Sequence, residues 1–386
     1  SARSQAAPRE QLAGGMLPCA GPRRPPSRTG CAATPHGRPN ATCRRLLPSP
    51  AAAHRGTRQS ANSHAGGVLF GSFTLGVYLG HKGWHRKRKR DPLRPEVRGL
   101  SQRRALADNF KCLVLDCDGV LWRGSEAIPG SSEAVQALQR SGKQLAFVTN
   151  ASARTRAAVA DRISAKLGTA VPASDVVTSG SVAAAAVAAR ANPTAFVIGA
   201  DGLHEEMRLA GVSVVEPVLP MPFDEAAFRA LARTLPPVGA VVVGHDEAFS
   251  YGKLALASLL LQQGGEACTL IGTNPDVANR DVDGYLVPEA GTLIAAVEAA
   301  SGREATVVGK PSPEVICQLI AKHGLEAEEV LMVGDRLDTD IRFGLAARAR
   351  TCLVLTGVHT RIEAEALPTS ERPNYVKDCL LDIVAG

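Results

Sequence analysis

Lys111-Cys112-Leu113-Val114-Leu115-Asp116-Cys117-Asp118-Gly119 is the stretch that decides the fold. The apolar run from Cys112 to Leu115 reads as a strand buried on both faces. It stops at two carboxylates. Side chains at i and i+2 of an extended segment point the same way, so Asp116 and Asp118 address one spot beyond the strand's carboxyl end, where open α/β sheets bind ligands. Two like charges there raise the pKa of one of them unless a cation sits between. Gly119 lets the backbone turn away. Asp and Gly after a strand are also ordinary turn chemistry, so the motif has to be weighed with its surroundings.

Outward from this stretch the same pattern repeats. Residues 144–148 (QLAFV), 305–308 (ATVV), 330–333 (VLMV) and 351–355 (TCLVL) read as further buried parallel strands. Helical stretches at 132–140, 153–167, 313–323 and 339–347 lie between them. Strands alternating with helices indicate βαβ units, hence an α/β protein with a doubly wound, Rossmann-like parallel sheet. Residues 192–302 carry their own series, with strands at 194–198, 238–243 and 268–271 and helices at 224–233 and 253–263. Asn192-Pro193 stops the alanine-rich helix before it. The expected organisation is a basic N-terminal segment (1–105), a first core part (106–191), an inserted α/β domain (192–302) and a second core part (303–386).

Three more strand ends carry polar motifs. Gly334-Asp335-Arg336-Leu337-Asp338-Thr339-Asp340 brings a third acid to the sheet edge and would complete an oxygen-rich site suited to Mg²⁺, although Asp335 or Asp338 could instead cap the following helix. Phe147-Val148-Thr149-Asn150 ends a strand in a hydroxyl and an amide, either a pair of donors for phosphate oxygens or simple turn chemistry. Gly309-Lys310-Pro311-Ser312-Pro313 supplies a lysine as a positive point charge for a phosphoryl group, or a solvated lysine before a proline-capped helix. It is no phosphate-cradling P-loop, because Pro311 stands where that motif needs Ser or Thr.

Taken in order (acid pair, Thr-Asn, Lys, acid cluster), the four motifs resemble those of the haloacid dehalogenase-like phosphatases, from Phe110 almost to Gly386. DCDGVLWRG, FVTN, VVGKPSP and VGDRLDTDI are similar to the capped subgroup that contains phosphoglycolate, pyridoxal and nitrophenyl phosphatases. The resemblance implies that Asp116 is the nucleophile and Asp118 the general acid and base. It implies that Asp116, Asp335 and the Asp118 carbonyl hold Mg²⁺. Lys310, Thr149, Asn150 and the backbone of Ala151 would bind the phosphate, and Asp340 or Asp338 would orient Lys310 or metal-bound water. Ala151 departs from the Thr-Asn-Asn common in the subgroup. In the cap loop 273–284 (TNPDVANRDVDG), Asn279 stands where pyridoxal phosphatases place a histidine near the substrate, which makes it a candidate substrate contact and lowers the pyridoxal 5′-phosphate reading. The expected substrate is a small phosphorylated metabolite, 2-phosphoglycolate first, with pyridoxal 5′-phosphate or a broad set including 4-nitrophenyl phosphate as the alternative. The resemblance also implies a homodimer formed through the caps, where the apolar residues 254–261 serve as well in an interface as in the cap core. A non-catalytic phosphate sensor on the same fold would lack Asp116, Asp118 or Lys310, and all three are present.

Composition narrows the field further. Aromatics make up 4% of the 386 residues, which argues against a stacking platform for sugars or single-stranded nucleic acid. The net charge of +7 is uneven: residues 1–105 hold 20 Lys and Arg against 3 acids, residues 106–386 hold 24 against 34. An acidic body has no electrostatic reason to hold a phosphate backbone, so nucleic acid is not expected as a partner. Up to about residue 65 the chain is rich in Arg, Ala, Ser and Pro and poor in acids, the composition of an organelle transit peptide, or else of a disordered tail or truncated start. The chloroplast is favoured over the mitochondrion through the substrate alone, and the cytoplasm is expected if the segment is no transit peptide. Residues 66–80 (GGVLFGSFTLGVYLG) are apolar but short of the ~20 residues that a spanning helix needs. With HRKRKR behind them they leave an interfacial or weak membrane anchor as the alternative. The nine cysteines form no CxxC pair and no zinc spacing, as for free thiols in a reducing compartment.

Overall fold

The computed structural model describes residues 104–280 and 284–385. The transit-peptide reading and the apolar run 66–80 fall outside them. Among the described residues no helix is long and apolar enough to cross a membrane.

In chain order the strands are β1 (Cys112–Leu115), β2 (Trp122–Arg123), β3 (Glu126–Ala127), β4 (Gln144–Thr149), β5 (Val176–Thr178), β6 (Thr194–Ile198), β7 (Ser213–Val215) and β8 (Ala240–Val243). They continue with β9 (Thr269–Gly272), β10 (Ala278–Arg280), β11 (Leu286–Pro288), β12 (Thr306–Val307), β13 (Val330–Gly334), β14 (Arg350–Val354) and β15 (Tyr375–Lys377). A six-stranded sheet runs β15-β14-β13-β1-β4-β5, and a five-stranded sheet runs β12-β9-β8-β6-β7. All pairings in both are parallel. β2–β3 and β10–β11 are antiparallel ribbons.

β1 sits inside the first sheet, and the two-residue period sorts its side chains. Leu113 and Leu115 join Leu145, Phe147, Leu331 and Val333 on one face, against Val135 and Leu138 of helix Ser131–Arg140 and Ile163 of helix Arg156–Leu167. Cys112 and Val114 join Ala146, Val148, Val330 and Met332 on the other, with Val315 and Ile316 of helix Glu314–His323. Cover on both faces is why the strand reads as unbroken apolar sequence. Burial pushes the Cys112 thiol up to about 11, so it packs as a small hydrophobe. Leu115 lies level with Val333 and Phe147, so Asp116, Asp335 and Thr149 emerge at one carboxyl edge.

Two expectations about boundaries are corrected. Thr306 and Val307 pair with Ile271 and Gly272, so β12 is the edge strand of the second sheet, and the chain returns to the first sheet after it, later than residue 303. A short apolar run does not say which of two parallel sheets it joins. Helix Ser179–Ala188 likewise packs Ala183, Ala184 and Val187 on the second sheet, ahead of residue 192. The helix expected at 339–347 opens as a wide π turn (Leu337–Ile341) before the α-helical Arg342–Ala346. In the cap, Leu256, Leu260 and Leu261 belong to the buried core.

Candidate active site

The chain reaches Lys310 straight off the second sheet. Val308 and Gly309 donate their N–H groups to Gly272 and Thr273 (3.0 and 2.8 Å), which aims the next residue at the first sheet's carboxyl edge. The Lys310 ammonium lies in a polar nest. It donates to Asp116 Oδ1, to Asp340 Oδ1 at 2.8 Å and to the Val148 carbonyl at 3.3 Å. Asp116, Lys310, Asp335 and Asp340 are all buried. Carboxylate oxygens of Asp116, Asp335 and Asp340 approach within 4.8 Å of one another.

Each acid has a different set of partners. The Asp116 N–H is tied to the Val333 carbonyl (2.9 Å), which fixes the residue across the β1–β13 edge. Asp335 Oδ2 accepts from the Val358 N–H (2.7 Å), whereas its Oδ1 is buried with no hydrogen-bond partner among the described residues. Asp340 Oδ2 accepts from the N–H groups of Asp335 and Arg336 (3.2 and 3.1 Å), closing the π turn onto the strand end. Asp338 is turned outward into a two-bond pair with Arg336. Of the two acids expected to orient the lysine, Asp340 does so.

Two glycines make room for this packing. Gly119 has φ +82°, and a Cβ there would run into the Asp335 carboxylate. A Cβ on Gly334 would run into Asp340.

The charges do not balance. Burial raises the Asp116 carboxyl well above its ordinary range, and Asp340 and Asp335 add to this, although Lys310 opposes it. Burial and the Asp340 charge raise Asp335 to about 7. Burial alone would pull the Lys310 ammonium down, but Asp116 and Asp340 outweigh it and hold the lysine charged. Three carboxylates thus share one ammonium. Oxygen-only donors, the unpartnered Asp335 oxygen and the missing positive charge fit a hard divalent cation.

The remaining expected residues fall in different places. Asp118 is exposed, with Oδ1 accepting from the Trp122 indole at 2.7 Å. Thr149 Oγ1 accepts the Ala151 N–H (3.1 Å), so that backbone donor is already engaged. Asn150 is a clasp: its Oδ1 takes the Lys310 N–H (2.9 Å), and its Nδ2 donates to the Lys310 carbonyl (3.2 Å) and to Asp276 Oδ2 (3.1 Å). Its carbonyl accepts from Asn274 of the cap loop (2.8 Å). Asn279, in β10, donates to Glu289 Oε1 (3.0 Å), while Glu289 Oε2 meets His245 Nδ1 at 2.9 Å. These contacts lie within the cap and apart from the carboxylate–lysine cluster. Asp276, His245 and Glu289 do not stand out from the sequence; Trp122 has one local cue, its place four residues after Asp118.

A Haloacid dehalogenase-like hydrolase family model matches residues 113–213, and a second HAD-like hydrolase model matches residues 307–383. Glycerol-3-phosphate phosphatase of Homo sapiens is 41% identical over 295 residues, 73% of this chain and 91% of that one. Among solved structures, p-nitrophenyl phosphatase from Archaeoglobus fulgidus superposes with a TM-score of 0.60 at 32% identity, covering 71% of this chain and 98% of that one. A glycerol phosphate phosphatase from Mycobacterium tuberculosis in complex with magnesium gives 0.62 at 29% identity, covering 72% and 78%. The chain belongs to the haloacid dehalogenase-like hydrolases. Within them it is a phosphatase of the capped subgroup, an α/β Rossmann-like core with an inserted cap.

Proposed function

We propose that the chain is a Mg²⁺-dependent hydrolase of small phosphomonoesters that works through an aspartyl-phosphate on Asp116. The observation that carries this reading is the buried Lys310 ammonium lodged between Asp116 and Asp340, beside the unpartnered Asp335 oxygen. Asp116 attacks phosphorus, forming the Asp116–phosphorus bond as the ester oxygen leaves with a proton from Asp118. Asp118 then takes a proton from water, whose oxygen displaces Asp116 and releases phosphate. Lys310 holds one Asp116 oxygen and so turns the carboxylate, and its charge offsets that of the incoming phosphate. The Thr149 oxygen already accepts the Ala151 N–H, leaving its O–H to donate to a phosphate oxygen. Mg²⁺, held by Asp116, Asp335 and the Asp118 carbonyl, would offset the repulsion between an anionic nucleophile and an anionic phosphate.

On the substrate, the similar phosphatases support the broader of the two sequence expectations. We take glycerol 3-phosphate and 4-nitrophenyl phosphate as the first candidates, ahead of 2-phosphoglycolate. Self-association through the cap is kept as part of this reading. It is supported by the exposed Val218, Met221 and Tyr251 there. The test is phosphate release by the full chain with Mg²⁺ from these esters and from pyridoxal 5′-phosphate, with Asp116→Asn as control. Turnover that falls about a thousandfold or more in the variant is expected. An Asp116→Asn protein within tenfold of the parent would overturn the nucleophile assignment. A tenfold preference for 2-phosphoglycolate would overturn the substrate choice.

A further inference from the structure

Asp118 is exposed, yet one of its two oxygens is held from the protein side. The Trp122 indole Nε1–H donates to Asp118 Oδ1 at 2.7 Å. Trp122 itself is 2% exposed. Its place is fixed by the backbone: the Gly119 N–H donates to the Trp122 carbonyl (2.7 Å), and the Trp122 N–H donates to the Cys117 carbonyl (3.3 Å). β2–β3 pairing then sets Trp122 opposite Ala127.

The ring is also held from above. The Arg162 guanidinium lies 4.7 Å from its centroid and the Lys166 ammonium 5.9 Å. Both cations are anchored in turn, Arg162 on the Gly124 carbonyl (3.1 Å) and Lys166 on the Ser125 carbonyl, so helix Arg156–Leu167 closes over the β2–β3 ribbon. Stacked cations restrain the tilt of the ring and with it the direction of the N–H.

An indole nitrogen donates and never accepts. Asp118 Oδ1 must therefore be the acceptor whether the carboxyl group is ionised or neutral, and a proton on Asp118 has only Oδ2 to occupy. We propose that Trp122 is a positioning residue for Asp118, assigning Oδ2 as the atom that protonates the leaving oxygen and later takes a proton from water. The inference rests on the acid–base role given to Asp118 above. In the first step a proton passes from Oδ2 to the ester oxygen as the phosphorus–oxygen bond breaks and the Asp116–phosphorus bond forms. In the second a water proton passes to Oδ2 as water oxygen bonds phosphorus and Asp116 is released. Oδ1 keeps the same donor throughout, so the carboxyl group need not rotate between steps.

The experiment compares two esters in the full chain with Mg²⁺. Glycerol 3-phosphate expels an alkoxide that needs a proton, whereas 4-nitrophenyl phosphate expels a stabilised phenolate. kcat/KM reports the step that forms the phosphoenzyme. Trp122→Phe, which keeps the ring and drops the N–H, is expected to lower the alkyl-to-aryl ratio of kcat/KM tenfold or more. Asp118→Asn should lower the same ratio further, and adding Trp122→Phe to it should cost nothing more, because both act through one proton. Loss that is equal for both esters, or additive in the double variant, would overturn the positioning role. An unmoved ratio in Asp118→Asn would instead sink the acid–base reading beneath it. Should Trp122→Phe not fold, Arg162→Met is read in the same ratio: a threefold fall supports the inference and an unchanged ratio overturns it.

Discussion

Replacing Lys310 by methionine keeps most of the side-chain volume and removes the ammonium that three buried carboxylates share. Asp116 and Asp340 lose a direct partner, and Asp335 loses a neighbouring charge. Breaking a buried ion pair from one side costs about 3–5 kcal/mol, because the partner is left charged and unsolvated. For a body of this size that is a fall in Tm of roughly 5–8 °C near pH 8. The sign of the pH dependence comes from the raised carboxyls. Asp116 and Asp335 already hold protons more tightly in the folded chain than in the unfolded one. Without the lysine they do so more strongly, and the variant can relieve its excess charge by taking up protons. Its deficit should therefore be largest at pH 8 and shrink towards pH 5, and millimolar Mg²⁺ should restore part of it by supplying the missing charge. Thermal melts of the parent and Lys310→Met at pH 5 and 8, with and without Mg²⁺, read all of this. A Tm within 2 °C of the parent at pH 8, or a deficit that grows at pH 5, would refute the reasoning.

Three further outcomes are expected. Asp335, raised to about 7, must lose its proton to bind a cation. The Mg²⁺-induced rise in Tm should therefore grow between pH 5.5 and 8 and vanish in Asp335→Asn; at a hundred times Kd it corresponds to about 2.7 kcal/mol. Gly119→Ala combines a positive φ with a Cβ aimed at the Asp335 carboxylate. It should cost about 1–2 kcal/mol from the backbone alone and more than tenfold in kcat, checked by melting and by phosphate release. Asn150→Ala removes three bonds to Lys310 and Asp276. Because it frees the backbone that carries Lys310, kcat should fall at least tenfold, while Asp276→Ala, which spares the Lys310 bonds, should fall less; equal losses would show that the cap contact matters more than the lysine.

Sequence and structure contributed at different ranges. Asp116 and Asp118 stood out because two carboxylates follow a buried strand directly; in the fold Asp116 is buried in the lysine cluster, whereas Asp118 is exposed with its carboxylate on the Trp122 indole. The Asp335 motif was legible for a related reason: it comes directly after a short apolar run, and parallel strands of one sheet deliver the residues at their carboxyl ends to one edge. Lys310 also follows an apolar run, but that run belongs to the other sheet, so the charge was legible and its place beside Asp116 was not. The sequence left Asp338 and Asp340 equivalent, because both lie in the turn after β13. The wide π turn points Asp340 inward under two backbone N–H groups and leaves Asp338 to Arg336. The apolar pattern also placed residues 305–308 on the first sheet, since an apolar run carries no label for its partner; pairing with β9 put them on the second. Asn150 read as a phosphate donor, and only the approach of residues 273–276 showed its amide bound to Lys310 and Asp276. Strand ends, charges and glycine turns are local properties that the chain writes into neighbouring residues. Which oxygen meets which donor is decided by contacts between residues more than a hundred positions apart, as between Lys310 and Asp116, and these exist only once the two sheets have packed.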